Sequence, residues 1–372
     1  MKTIIERSDL LKALNHVQSV VERRNTIPIL SNVLLEADNG VLSLTATDLE
    51  IEMRERVEAE IVQPGAITAP AHMLYDIVRK LPDGAQVELA TDETGGRLNL
   101  VAGKSAFTLQ ALPREDFPAM AQDEMPVAFA LPVGDLRRLI DKTRFAISVE
   151  ETRYYLNGIY LHVLEDGGSP LLRAVATDGH RLARVDMAQP VGADAMPAVI
   201  IPRKTVGEVQ KLLEEAEGEV SLQVSDTKIN FAFAEIVLTS KLIDGKFPDY
   251  TRVIPSDNDK MLKLDAKSFA QSVDRVSAIS SEKSRAVKLA LDKDSLALSV
   301  SNPDSGSAND ELSVSYGADA MEIGFNARYL MDITGQLDGE TATFELADSG
   351  SPTLVRDDED GQALYVLMPM RV

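Results

Sequence analysis

Four landmarks recur three times, in the same order, along the 372 residues of this chain. The clearest landmark is an apolar strand that ends in Asp or Asn, at residues 42–48, 172–178 and 296–302. A short strand that runs into a helix precedes it each time, and a second helix and a late proline-containing element follow. The copies lie about 120–130 residues apart, and a fixed spacing of this kind indicates internally repeated domains.

The repeat predicts three similar domains, at residues 1–121, 127–254 and 260–372. Their joints fall near 121–126 and 255–260, which are polar stretches with proline close by, as is typical of linkers. Each domain combines two amphipathic helices with several strands, so the fold class is α+β. The predicted helix windows are 7–24, 70–80, 133–146, 202–215, 265–275 and 326–336.

Charge is distributed unevenly in this acidic chain. The 38 basic and 59 acidic residues give a net charge of −21, which by itself argues against nucleic acid as a partner. The predicted helices are nevertheless net basic. Cations off the apolar stripes of the helices include Arg7, Lys12, Arg79, Lys80, Arg137, Arg138, Lys142 and Arg144. They favour either a positive helical surface on a negative body or a merely solvated helix face.

The sequence lacks the residues or motifs that several kinds of functional site require. The chain has no cysteine, which excludes disulfides, thiol nucleophiles and thiolate metal sites. It shows no glycine-rich phosphate loop, and its four histidines lack metal-ligand spacing, so we expect no metal and no cofactor. The N-terminus lacks the apolar core of a signal peptide and no apolar run is long enough to span a membrane, so we expect a cytoplasmic protein.

Longer strings are more specific than these patterns. They read AVATDGHRLA at 174–183, SKLIDGKFPDY at 240–250 and MPMRV at 368–372, with RYYLNG at 153–158 and EIGFN at 322–326. Together they closely resemble the bacterial DNA polymerase III beta subunits, the sliding clamps. The resemblance runs from the first helix to the last residue.

This resemblance implies three domains of the DNA-clamp fold and a head-to-tail homodimer that closes into a ring, with helices lining the hole and sheets outside. Such a protein is not an enzyme: it encircles double-stranded DNA without sequence preference and tethers the replicative polymerase. The implied partners are the polymerase alpha subunit, the clamp-loader delta subunit, translesion polymerases, and mismatch-repair and other clamp-binding proteins. The implied location is the nucleoid, at the replisome.

The resemblance also implies three sets of site residues. The DNA-contact positions are Arg24, His72, Glu150, Tyr154 and Tyr155. His72 stands where the family commonly has arginine and Glu150 where it commonly has glutamine, and a carboxylate repels phosphate. The partner-peptide pocket comprises Leu156, Thr177, Gly179, His180, Arg181, Leu182, Pro248, Arg252, Val253, Asn326, Tyr329, Val366, Met368, Pro369, Met370 and Arg371. The dimer interface places Phe107 and Leu109 against Ala278 and Ile279 of a second copy.

Two other functions remain open at this point. One is a peptide-binding scaffold that never encircles DNA. The other is a hydrolase that uses Asp178 and His180 as an acid–base pair, although no nucleophile motif accompanies them. The pocket rim near Gly350 and Pro352 departs from the family pattern, so its role is not predicted.

Overall fold

Six α-helices lie among antiparallel strands in the computed structural model, which describes residues 1–121, 124–280 and 285–372. The helices are α1 (Arg7–Val17), α2 (Ala71–Lys80), α3 (Val133–Arg144), α4 (Arg203–Glu215), α5 (Ala266–Ser277) and α6 (Ala327–Thr334). All of them except α5 fall inside their predicted windows, and α5 runs two residues past the end of its window. The first helix, however, ends at Val17, well before the predicted residue 24, so Arg24 lies in the segment that follows it.

The chain divides into two compact units. Unit 1 comprises Met1–Val133, Pro190–Pro197 and Gly207–Leu242. Its five-stranded sheet has the order β5 (Glu60–Gln63), β1 (Lys2–Glu6), β7 (Gln86–Thr91), β8 (Arg97–Ala102) and β9 (Ser105–Gln110). Its eight-stranded sheet has the order β10 (Val127–Pro132), β15 (Glu219–Val224), β16 (Lys228–Phe233), β17 (Ile236–Lys241), β4 (Ile51–Glu58), β3 (Val41–Thr47), β2 (Asn32–Asp38) and β6 (Gly65–Pro70).

Unit 2 comprises Gly134–Gln189, Ala198–Val206 and Ile243–Val372. Its nine-stranded sheet has the order β14 (Val199–Pro202), β11 (Gly158–Asp166), β12 (Ser169–Thr177), β13 (Arg181–Ala188), β26 (Ala363–Leu367), β25 (Thr353–Asp357), β24 (Thr341–Leu346), β18 (Lys260–Asp265) and β22 (Ser315–Tyr316). Its four-stranded sheet has the order β21 (Gly306–Ser313), β20 (Ser295–Asn302), β19 (Ala286–Asp292) and β23 (Met321–Asn326).

Two strand pairings cross the predicted domain boundaries. In unit 1, β4 pairs with β17 and places Ile51 opposite Ser240. In unit 2, β13 pairs with β26 and places Leu182 opposite Val366. The predicted middle domain therefore contributes strands to both long sheets. Residues 122 and 123 of the first predicted joint lie outside the described residues, and the three domain boundaries stay a prediction.

The sequence repeat is visible in matching backbone turns. In unit 1 the Asp48 Oδ1 accepts hydrogen bonds from the amides two and three residues ahead, at 2.9 and 2.7 Å. In unit 2 the Asp178 Oδ1 accepts the corresponding bonds at 2.9 and 3.0 Å. The residue after each aspartate has a positive φ, 78° at Leu49 and 89° at Gly179. Two repeats thus fold this landmark in the same way.

The helices bury the apolar stripes that their spacing predicts. Leu10, Leu14 and Val17 of α1 are fully buried, as are Phe269 and Val273 of α5. An apolar face at this spacing holds a helix against its sheet more strongly than helix propensity does.

The predicted outward placement of the helix cations is wrong for two residues of unit 2. The Arg138 guanidinium donates two hydrogen bonds to the Asp360 carboxylate, at 2.6 and 2.8 Å. Lys142 is only 6% exposed, and its Nζ lies 2.7 Å from an Asp338 oxygen and 3.3 Å from an Asp360 oxygen. A buried cation needs such carboxylate partners, so these two charges hold unit 2 together and are not exposed on a helix face.

Candidate functional site

The predicted pocket residues all lie in unit 2, around the pair formed by β13 and β26. Three of them, Leu156, Leu182 and Val366, are at most 4% exposed and belong to one apolar cluster. Phe247 and Tyr250 join the same cluster. The cluster forms a firm apolar base for whatever binds above it, because close-packed interiors resist deformation.

Exposed apolar side chains lie beside this base. Met368, directly after β26, is 38% exposed, and Val253, at the end of the 3-10 helix Tyr250–Val253, is 48% exposed. Pro248 and Arg252 of the neighbouring segment are also exposed. Large apolar side chains that a fold leaves in water directly after the elements of a buried apolar cluster indicate a candidate surface for binding. We call this surface, with Leu156, Leu182 and Val366 at its base, the groove.

The turn between β12 and β13 has a fixed backbone. The Thr177 hydroxyl donates to the carbonyl of Arg181 at 2.7 Å and accepts from the amide of Gly179 at 3.1 Å. The amide of Met368 donates to the carbonyl of His180 at 2.9 Å, which joins the turn to the C-terminal tail. A Cβ at Gly179 would lie 2.8 Å from Nη1 of Arg153, and φ there is positive, so glycine suits this position.

Arg181 is buried, and each nitrogen of its guanidinium group donates a hydrogen bond inside unit 2. Its Nη1 donates to Oδ2 of Asp332 and its Nη2 to the carbonyl of Phe145, both at 2.6 Å. Its Nε donates to Oδ2 of Asp178 at 3.1 Å. The guanidinium also lies over two rings, 4.3 Å from the centroid of Tyr329 and 5.1 Å from that of Phe145.

The C-terminal tail is held against β23. The amide of Met370 donates to the carbonyl of Gly324 at 2.8 Å. A Cβ at Gly324 would lie 2.7 Å from the Met370 carbonyl oxygen and would clash with Cγ1 of Val372. Only a glycine allows the tail to approach this closely. Nearby, the Asn326 side chain caps α6 by accepting from the amide of Arg328 at 2.9 Å.

Two of the predicted DNA-contact residues lie in unit 1. Arg24 is exposed, beyond the end of α1. His72 is half-buried on α2, with Nδ1 2.6 Å from Oε1 of Gln18 and Nε2 3.0 Å from the carbonyl oxygen of Val21. A carbonyl only accepts, so Nε2 donates. Both ring nitrogens are therefore engaged with the segment that leaves α1.

The other three predicted DNA-contact residues lie in unit 2, in and before the 3-10 helix Glu151–Leu156. The Glu150 carboxylate pairs with Nε of Arg153 at 3.2 Å, and both side chains are about half exposed. Tyr154 is 53% exposed and packs edge-on against Tyr155, with ring centroids 5.7 Å apart. Atoms of both tyrosines lie close to Gly245, where a Cβ would be 3.1 to 3.3 Å from them.

Two of the predicted interface residues lie at a sheet edge, and the other two directly follow α5. Phe107 and Leu109 lie on β9, the outermost strand of its sheet, where they are 37% and 5% exposed. In unit 2, Ala278 is exposed and Ile279 is half-buried, and the carbonyl of Ile279 accepts from Nδ2 of Asn302 at 2.9 Å.

Asp178 and His180 do not form an acid–base pair. The Asp178 carboxylate accepts hydrogen bonds from two backbone amides of its own turn and pairs with the Arg181 guanidinium. The His180 ring stacks with the Tyr329 ring, at a centroid separation of 6.5 Å. A general base has to reach a reacting proton, and this carboxylate serves the backbone turn.

Sequence reasoning missed three residues of this site: Phe145, Gly324 and Asp332. Asp332 lies one helical turn after Tyr329, so helical spacing could have placed both side chains on one face of α6. Phe145 and Gly324 act through a backbone carbonyl and a missing Cβ, which leave no signal in a single sequence. At the rim, the carbonyl of Pro352 accepts from Asn258 at 2.9 Å and the amide of Gly350 donates to Asp348 at 2.8 Å.

The chain matches three profiles of the DNA polymerase III beta subunit: the N-terminal domain at residues 1–121, the central domain at 130–249 and the C-terminal domain at 251–371. It is 57% identical to the "Beta sliding clamp" of Caulobacter vibrioides strain NA1000, and the match covers 100% of both chains. It is 40% identical to the protein of the same name in Escherichia coli K12, again over 100% of both.

Solved structures give the same result. The sliding clamp of Bartonella birtlesii bound to griselimycin is 53% identical, with a TM-score of 0.98 over 100% of both chains. The DNA polymerase sliding clamp of Caulobacter crescentus is 56% identical, with a TM-score of 0.96 over 100% of both. No helix among the described residues is long and apolar enough to cross a membrane.

Proposed function

The chain belongs to the DNA polymerase III beta subunit family, the bacterial sliding clamps, and on this premise we propose that two copies join head to tail into a ring around duplex DNA. Members of this family are non-catalytic processivity factors that bind DNA and polymerase partners. Neither the hydrolase nor the scaffold that stays off DNA is supported.

A ring reconciles a net charge of −21 with a DNA partner. Enclosure holds the duplex topologically, so affinity for phosphate need not be large, and weak contacts without base readout permit sliding. Arg24 and Tyr154, which are exposed, and the half-buried Tyr155 are the proposed contacts to the phosphate backbone. His72 and Glu150 belong to the same proposed set. Each already has partners inside its own unit, so we expect both to contribute less.

Two outermost strands of the described sheets support the head-to-tail contact. The strand β9 ends the five-stranded sheet of unit 1, and β21 ends the four-stranded sheet of unit 2. A sheet edge exposes unpaired backbone donors and acceptors, which a second chain can satisfy. We propose that these two edge strands form the dimer interface, together with Phe107 and Leu109 on β9 of one copy and Ala278 and Ile279, directly after α5, on the other.

The groove is the proposed site for partner peptides, and the observation that carries it is the pair Met368 and Val253, both exposed beside a buried apolar base. Methionine is unbranched and polarizable, which suits a surface that accepts several sequences. The proposed occupants are short segments of the polymerase alpha subunit, the clamp-loader delta subunit, translesion polymerases and mismatch-repair proteins. The Bartonella birtlesii structure is bound to griselimycin, and we propose this ligand as a small probe of the groove.

The proposed cellular location follows from the proposed function. A clamp of the bacterial replicative polymerase acts in the cytoplasm, on the nucleoid at the replisome. The proposed division into domains at 1–121, 127–254 and 260–372 gives each copy three similar segments, and so gives a two-copy ring six.

Retention on DNA tests the ring. The protein, loaded by its clamp loader onto nicked circular DNA, should stay bound through gel filtration and leave once the circle is cut. Retention on the circle should change little with salt, because topology and not ion pairing holds the ring. Equal loss from circular and linear DNA would refute the sliding ring.

A further inference from the structure

Arg181 belongs to the predicted pocket, yet its contacts give it another role. Every nitrogen of its guanidinium group donates to an acceptor inside unit 2, and the residue is only 7% exposed. A buried guanidinium with these partners offers little surface to a peptide in the groove. The residue therefore acts on the groove through the groups that it holds in place.

Asp332 is the charged group from α6 that fixes Arg181. Its Oδ2 lies 2.6 Å from Nη1 of Arg181, and its side chain is 29% exposed. The other carboxylate, Asp178, belongs to the turn itself and is shared with backbone amides. Asp332 is thus the charged link between α6, which carries Tyr329, and the turn that carries His180.

The rings of the groove depend on this link. The Arg181 guanidinium lies 4.3 Å from the centroid of Tyr329, and the His180 ring stacks on the same tyrosine. A cation–π contact with a guanidinium that is shielded from water favours one orientation of the tyrosine ring. A binding surface gains affinity when its side chains are already held in the bound arrangement.

We propose that Asp332 is a positioning residue of the groove: through Arg181 it sets Tyr329 and the turn at His180 in the arrangement that peptides bind. This inference rests on the proposed function of the groove. Removing the Asp332 charge takes away the shorter of the two ion pairs of this buried guanidinium and leaves it only Asp178, so Arg181 would move and release both rings. The loss of affinity arises although Asp332 touches no peptide.

The test measures binding of a fluorescein-labelled peptide that contains a glutamine–leucine segment, by fluorescence anisotropy with the full-length protein. Asp332→Asn should weaken binding about tenfold, the loss that corresponds to one charged hydrogen bond. Asp332→Glu keeps the charge and should bind within about threefold of the wild type. The matched control is Glu345→Gln, which breaks the 2.8 Å pair with Arg356 in the same unit and should leave affinity unchanged.

A double-mutant cycle separates positioning from direct contact. If Asp332 acts through Arg181, the double variant Asp332→Asn with Arg181→Gln should bind no more weakly than Arg181→Gln alone. Losses that multiply would overturn the proposal, as would wild-type affinity in Asp332→Asn or a tenfold loss in Asp332→Glu. A wild-type protein that fails to bind any such peptide would overturn the groove assignment itself, and the role of Asp332 with it.

Discussion

Deleting Met370–Val372 should separate a binding role of the C-terminal tail from a structural one. The deletion removes one backbone hydrogen bond, from the amide of Met370 to the carbonyl of Gly324, and three residues that are half-buried or exposed. A hydrogen bond contributes about 1 kcal/mol net. For a chain of this size, that should lower the apparent melting temperature by no more than about 4 °C.

Peptide binding should respond much more strongly to the same deletion. If the tail forms a wall of the groove, the deletion removes an anchoring surface worth about 2 kcal/mol, so affinity should fall about thirtyfold or more. The chain contains no tryptophan, so a labelled peptide and fluorescence anisotropy give the clearest signal. Sedimentation and thermal melts on the same samples should report an unchanged dimer mass and a nearly unchanged melting temperature.

The matched control deletes only Val372, which is 61% exposed and follows the hydrogen bond at Met370. That variant should bind peptide almost as the full chain does. A folded truncation at Met370 with unaltered affinity would show that the groove lies elsewhere. A truncation that unfolds or loses its dimer would show that the tail belongs to the core.

Two further predictions concern the interface and pH. The double variant Phe107→Asp with Ile279→Asp should be a folded monomer in sedimentation, and an intact dimer would contradict the proposed interface. Leu109 is left unchanged because it is buried within its own chain, where a charge would disturb folding. Burial lowers the pKa of His16, but the Glu55 hydrogen bond and carboxylate charges outweigh it and raise the pKa. Protonated His16 therefore stabilises unit 1 below about pH 6.5, and this stabilisation is lost as the pH rises through the raised pKa. The free energy of unfolding of His16→Gln, measured by chemical denaturation, should lack this pH dependence. A pH profile identical to that of the wild type would refute the prediction.

Spacing along the chain was enough to predict much of this protein. The apolar landmark at 42–48 coincides with β3 (Val41–Thr47), and the helix predicted at 70–80 is α2 (Ala71–Lys80). Periodic burial and turn residues act locally, so they can be read from one sequence. The α+β class followed from these patterns, the family and the clamp function followed from long specific strings, and all three are confirmed.

Local sequence patterns predicted the wrong solvent exposure for charged residues whose partners are distant in sequence. Arg138 and Lys142 lie on the outward side of a helix stripe, which predicts solvent exposure, yet Asp360 comes more than two hundred residues later and pairs with both. Nothing in the spacing around a lysine indicates a carboxylate that the fold brings to it. The helix window that ran to residue 24 failed for a related reason, since His72 of α2 binds the segment that follows α1.

The sequence by itself determined which elements form and which family they build, because strand alternation, helix periodicity and turn chemistry depend on neighbours along the chain. Only the tertiary structure decided how the groove is assembled. The pairing of β13 with β26 sets Leu182 against Val366, and the fold carries Asp332 to Arg181 across 151 positions. Such contacts depend on how strands are ordered in a sheet and where a helix packs, which are cooperative properties of the whole unit.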